Sequence, residues 1–146
     1  MAGYVEAQFV LGKRYRDGDG VAADAAAAVK WFLRAAEAGH AGAVNSLANC
    51  YDKGTGVAVD FVKAIALYTR ASEAGNSVAQ FNLGMRYLIG SSGVACDVAK
   101  AREWLARAAA GGVAQAAAPL AALDAAAVGV AQAAAALAAL DAAAPP

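Results

Sequence analysis

Apolar residues return along this chain at fixed intervals. Ala7, Leu11 and Tyr15 are matched by Ala43, Leu47 and Tyr51, and again by Ala79, Leu83 and Tyr87. Rungs four residues apart fall on one face of a helix, so each set predicts an amphipathic first helix. Gly12, Ala48 and Gly84 place a small residue beside each stripe, where a neighbouring helix can come close. A second stripe follows: Ala28, Trp31 and Ala35, then Ala64, Leu67 and Ala71, then Ala101, Trp104 and Ala108. The i, i+3, i+7 spacing predicts a second helix with a large residue flanked by small ones. Tyr15 and Trp31 are expected in the core.

Between the stripes lie the turns. Each first helix runs into a glycine pair, Gly18/Gly20, Gly54/Gly56 or Gly90/Gly93, followed by Val21, Val57 or Val94. Asp24, Asp60 and Asp97 stand directly ahead of the next helical run, where a carboxylate can accept the free N–H groups of the first turn. Gly39, Gly75 and Gly112 close each unit at the position after a helix end. The chain therefore divides into copies at residues 4–39, 40–75 and 76–112, the third lengthened by one residue in the Gly90-Ser91-Ser92-Gly93 turn. Two short helices cannot bury their stripes alone, whereas stacked copies can. An all-α stack of three helical hairpins over residues 4–112 is the expected fold.

The pattern Ala-x-x-x-Leu-Gly-x-x-Tyr-x-x-Gly-x-Gly-Val-x-x-Asp-x-x-x-Ala-x-x-Trp-x-x-x-Ala-Ala-x-x-Gly closely resembles the Sel-1-like repeat, a relative of the tetratricopeptide repeat. The first copy carries every position from Ala7 to Gly39; the second departs at Ala48 and Leu67, and the third only in its turn. The resemblance implies a right-handed α/α superhelix and a role as adaptor or scaffold, binding a peptide or helix of another protein. The motif positions themselves are structural in that family. Its disulfide-stitched branch is not supported, because Cys50 and Cys96 form no regular pair.

In tetratricopeptide-like solenoids the first helix of each hairpin lines the concave face. By that resemblance the partner-facing candidates are Phe9, Lys13 and Arg16 in the first copy, Asn45, Asn49 and Asp52 in the second, and Phe81, Met85 and Leu88 in the third. They grade from cationic through amide-rich to apolar, a series suited to an extended peptide or short helix. A solvated helix face is the alternative for Lys13, Arg14 and Arg16. Packing against the next helix is the alternative for Phe81 and Met85. A purely structural spacer within a larger scaffold is the alternative function.

Beyond Gly112 the character changes. Residues 113–127 and 130–144 are near-duplicates, rich in alanine, with Asp124 and Asp141 as their only charges and no Lys or Arg after Arg107. Residues 113–146 are read as a degenerate helical cap, a pair of helices placing Leu120/Leu123 and Leu137/Leu140 on the last hairpin. A mobile Ala-rich tail and a transmembrane helix stay open beside it. Against a membrane span, Gln, Asp, Pro and Gly interrupt every window of spanning length and no basic anchors flank it.

Composition narrows the function classes. The chain has 146 residues, with 12 Lys+Arg against 12 Asp+Glu, so no excess charge points to nucleic acid or a membrane surface. Its hydrophobic fraction of 60% owes about half to alanine, the residue that costs least to order in a helix. The single histidine, His40, falls in an inter-repeat turn; no paired carboxylates, Cys/His cluster or phosphate loop accompanies it, so neither an enzyme nor a metal or cofactor is expected. Two unmatched cysteines and an N-terminus without basic and apolar signal regions make the cytoplasm the expected location. The first copy begins almost at once, with no polar capping unit, which suggests a piece of a longer repeat protein.

Overall fold

The three aspartates between the stripes each start a helix. Oδ1 of Asp24, Asp60 and Asp97 accepts the backbone N–H of Ala27, Lys63 and Lys100 at 3.0, 2.9 and 3.0 Å. Their own backbone N–H groups donate to the carbonyls of Tyr15, Tyr51 and Tyr87, closing each intra-hairpin turn in the same way. The computed structural model, which describes residues 2–142, thus contains α1 (Ala2–Asp17) and α2 (Ala25–Glu37), α3 (Ala41–Lys53) and α4 (Phe61–Glu73), and α5 (Ser77–Ile89) and α6 (Val98–Ala110). Gly39, Gly75 and Gly112, with φ near +90°, turn each second helix into the next unit. His40 and Asn76 then cap α3 and α5, His40 Nδ1 accepting from Ala43 N–H at 3.1 Å and Asn76 Oδ1 from Ala79 N–H at 2.8 Å. Each helix packs on its neighbours in sequence, which gives an α/α solenoid.

The core runs along this stack. Ala28, Ala35, Ala43, Ala48, Ala64, Ala71, Ala79, Ala101 and Ala108 are all fully buried, and they let large neighbours close in. Gly12 and Gly84 do the same: a Cβ would lie 2.6 Å from the Phe32 ring at the first and 2.8 Å from Leu105 Cγ at the second. Gly56 (φ +75°) fits its turn so closely against the start of α2 that a Cβ would meet the Ala25 carbonyl oxygen at 2.5 Å.

One expectation needs correction. The large residue at the centre of each second helix is not Trp31, Leu67 or Trp104 but the next residue: Phe32, Tyr68 and Leu105 are fully buried. The buried stripe follows i, i+4 and i+7, and the residues before its centre lie at its edge. Trp31 and Trp104 are half-exposed, each with the guanidinium of Arg34 or Arg107 over its ring at 4.8 or 4.7 Å. Leu67 and Trp104 still touch the main core; Trp31 instead lines a small apolar cavity with Tyr4, Ala7 and Leu11. In the second and third copies the residues equivalent to Ala7 are sealed by the preceding hairpin, whereas Ala7 is exposed.

The alanine-rich end is one helix, not a pair. A 3-10 turn (Ala114–Ala116) leads into α7 (Ala117–Ala142), with Pro119 in its first turn, where no intrahelical N–H is required. The first part of α7 takes the place of a further first helix: Ala116 is buried, Leu120 and Leu123 pack with Leu105 and Ala108, and Asp124 pairs with Arg102 at 2.7 Å. From Ala125 to Leu140 every residue is exposed, Val130 by 72%. The stretch Ala114–Leu140 is long and apolar enough for a membrane span by length and composition, with mean hydropathy 1.7 over its 18-residue window. Alanine carries that value, and the aromatic and basic anchors that fix spanning helices are missing from 114–140.

Candidate partner-binding face

Four of the nine candidates are taken up by packing within the stack: two by the following hairpin, two by α6 and the start of α7. Asn82 Nδ2 donates to Asn45 Oδ1 at 3.2 Å. Asp52, its side chain only 8% exposed, receives the Arg86 guanidinium, with Nε at 2.7 Å from Oδ1 and Nη2 at 2.8 Å from Oδ2. Arg86 also stacks over Phe61 at 5.2 Å. Burial, reinforced by the Asp52 carboxylate, holds the Tyr68 phenol well above its usual range. Phe81 and Met85 pack with Leu105, Ala108, Val113, Leu120 and Leu123, half-covered by the start of α7.

Of the other five, Arg16 is exposed and the rest are half-buried. Phe9 leans on Phe32 at 6.0 Å and on His40 at 4.4 Å between ring centroids, with Lys13 Nζ over its outer face at 4.8 Å. His40 Nε2 in turn lies 2.7 Å from Glu6 Oε2. Arg16 forms a two-point pair with its neighbour Asp17 at 2.7 and 2.9 Å, which lowers the Asp17 carboxyl and raises the guanidinium. Asn49 is half-buried with its Oδ1 unpartnered, and Leu88 is half-buried, its carbonyl accepting from Cys96 Sγ at 3.2 Å.

Two cavities open on this face at matched positions of consecutive copies. The first, about 250 Å³, is lined by Val10, Lys13, Arg14, Asp17 and Asp19. The second, about 300 Å³, is lined by the aligned Ser46, Asn49, Cys50, Lys53 and Thr55, together with Arg16 from α1. The Sel-1-like motif does not mark the second set; aligning the copies and asking which positions differ would have found it. Cys50 itself is buried at the floor, and that burial raises its thiol. Among the described residues no group of three or more His, Cys, Asp or Glu gathers in metal-binding range.

The family model for the Sel1 repeat matches three times, over residues 5–40, 41–76 and 77–113. The chain belongs to the Sel1 repeat family. Sel1 repeat proteins are generally protein-interaction scaffolds, built on a non-enzymatic repeat fold. Among solved structures, a protective antigen present in uropathogenic Escherichia coli strains, displaying an SLR fold, superposes with a TM-score of 0.72 at 40% identity. That match covers 76% of this chain and 24% of the antigen. A Sel1 repeat protein from Oxalobacter formigenes superposes with a TM-score of 0.75 at 39% identity, over 82% of this chain and 48% of that one. The chain thus spans a quarter to a half of the length of these Sel1 proteins. No curated protein matches it.

Proposed function

We propose that this Sel1 array is a protein-interaction scaffold that lays a peptide or short helix of a partner protein along the face formed by α1, α3 and α5. The carrying observation is the pair of cavities at equivalent positions of the first two copies. Repeating subsites suit a ligand with its own regular spacing, such as an extended chain. The side chains that stack the hairpins barely change from copy to copy. Those lining the cavities change class: Val10 becomes Ser46, Lys13 becomes Asn49, Asp17 becomes Lys53. Packing sets the first group, and the second is free to read a partner. Recognition, not catalysis, is the activity in this reading. The cytoplasm is its proposed setting, where Cys50 and Cys96, both free thiols, stay reduced.

A photo-crosslinking residue in place of Lys13 should capture partner proteins, while the same residue in place of Lys30, on the exposed side of α2, should not. Equal capture from both positions would remove the first-helix face from consideration. Met85→Ala is a poor probe of binding, because Met85 supports the seat of α7. A second reading, a spacer within a longer array, draws on the open end of the first hairpin, where Tyr4, Leu11 and Trp31 line a cavity and Ala7 is exposed. It would be favoured by a chain that captures nothing from either position.

A further inference from the structure

The cavity on α3 has a chemical character its neighbour lacks. Arg16 and Lys53 bring two cations to it, Ser46 and Thr55 two hydroxyls, and Asn49 an amide, with no carboxylate in its lining. The matching cavity on α1 instead mixes Lys13 and Arg14 with Asp17 and Asp19. Among the described residues Lys53 makes no ion pair. Arg16 is paired only with its sequence neighbour Asp17, both side chains about half exposed at 43% and 54%. A pair that exposed is weak and exchanges readily, and it leaves further guanidinium N–H donors unused. Asp52, the one carboxylate on α3, is neutralised by Arg86. Asn49 contributes to the lining, its Oδ1 shut away from the surface.

We infer that this cavity holds an acidic segment of a partner protein, its carboxylate on Arg16 and Lys53. An inorganic anion would satisfy the two cations alone, whereas an extended peptide can also enter the matching cavity on α1. The inference rests on the peptide-binding reading of this face and names the chemistry it selects.

The test is an array of randomised peptides probed with the intact chain, followed by fluorescence anisotropy on peptides that bind. Bound peptides should be enriched in Asp and Glu, and their Gln-substituted counterparts should bind about tenfold more weakly. Lys53→Glu and Arg16→Glu should each weaken acidic peptides comparably, with helical circular dichroism and thermal midpoint unchanged, since both side chains are exposed. Binding without acidic enrichment, or insensitivity to both charge reversals, would overturn the inference and leave the peptide-binding reading standing. Full displacement by inorganic phosphate at the peptide's own concentration would reduce the cavity to a simple anion site and also overturn it. Capture of no peptide at all would remove the underlying reading with it.

Discussion

Alanine fills two regions of this molecule and does opposite things in them. In the hairpin stack Ala35, Ala64, Ala71 and Ala79 are sealed from solvent. Along the second part of α7, from Ala125 to Leu140, the same residue is exposed throughout. Alanine loses little by either outcome, because its methyl group contributes little burial energy and its helix propensity is high. Its value in the stack lies in the space it leaves for Phe32, Tyr68, Leu83 and Leu105. The α7 extension has no such large residues seated on a neighbour, so its helix depends on propensity and on the anchorage supplied by Leu120, Leu123 and Asp124.

That contrast can be broken most forcefully at its large residues. Phe32→Ala should lower the stability of the stack by about 3–5 kcal/mol, whereas Leu137→Ala should change it by less than about 0.5 kcal/mol. Urea unfolding of the two variants checks this, and comparable losses would show that the extension is packed after all. The glycines provide a change of sign. Gly12→Ala forces a Cβ against the Phe32 ring and should cost about 1–3 kcal/mol. Gly129→Ala meets nothing within 4 Å and should strengthen α7 locally by about 0.5–1 kcal/mol, seen as slower amide exchange around residue 129.

Smaller effects sharpen the picture. Asp60→Ala removes the cap of α4 and should cost about 1 kcal/mol, read as a shift in the urea midpoint. Alkaline pH should act on the stack alone. Burial holds the Cys50 thiol above its ordinary 9.0 and the Tyr68 phenol above its ordinary 10.0. Above those values the unfolded chain releases protons that the folded chain retains, so stability falls as pH rises. Tyr68→Phe should flatten the fall above about pH 9.5, and an unchanged slope there would show that the phenol is not protected. In native protein, Cys96 should react with a thiol reagent well before Cys50, which unfolding should equalise; mass mapping of the labelled peptides distinguishes them.

Much of the fold was legible in the residues because it rests on local rules. Asp24, Asp60 and Asp97 cap helices, and Gly39, Gly75 and Gly112 end them, through contacts a few residues long. The candidate face was legible only in outline. Lys13, Arg16 and Asn49 do line the paired cavities, but Lys53, Ser46 and Thr55 carry no motif and emerged only from the geometry. Trp31 drew attention by its size, yet Phe32 fills the core, because a periodic pattern locates a stripe to within about one position on either side.

By itself, then, the amino-acid sequence determined the number of hairpins, their turns and caps, and the small residues that let them stack. These follow from backbone hydrogen bonding and helical periodicity within single copies. The tertiary structure decided how the first helices divide their remaining side chains. Asp52 goes to Arg86 and Asn45 to Asn82, Phe81 and Met85 go beneath α7, and Lys53 and Asn49 are left facing a cavity. Each of those outcomes depends on the offset and rotation between successive hairpins. That geometry is set by the packing of residues one whole repeat apart, and no periodicity within a single helix can express it.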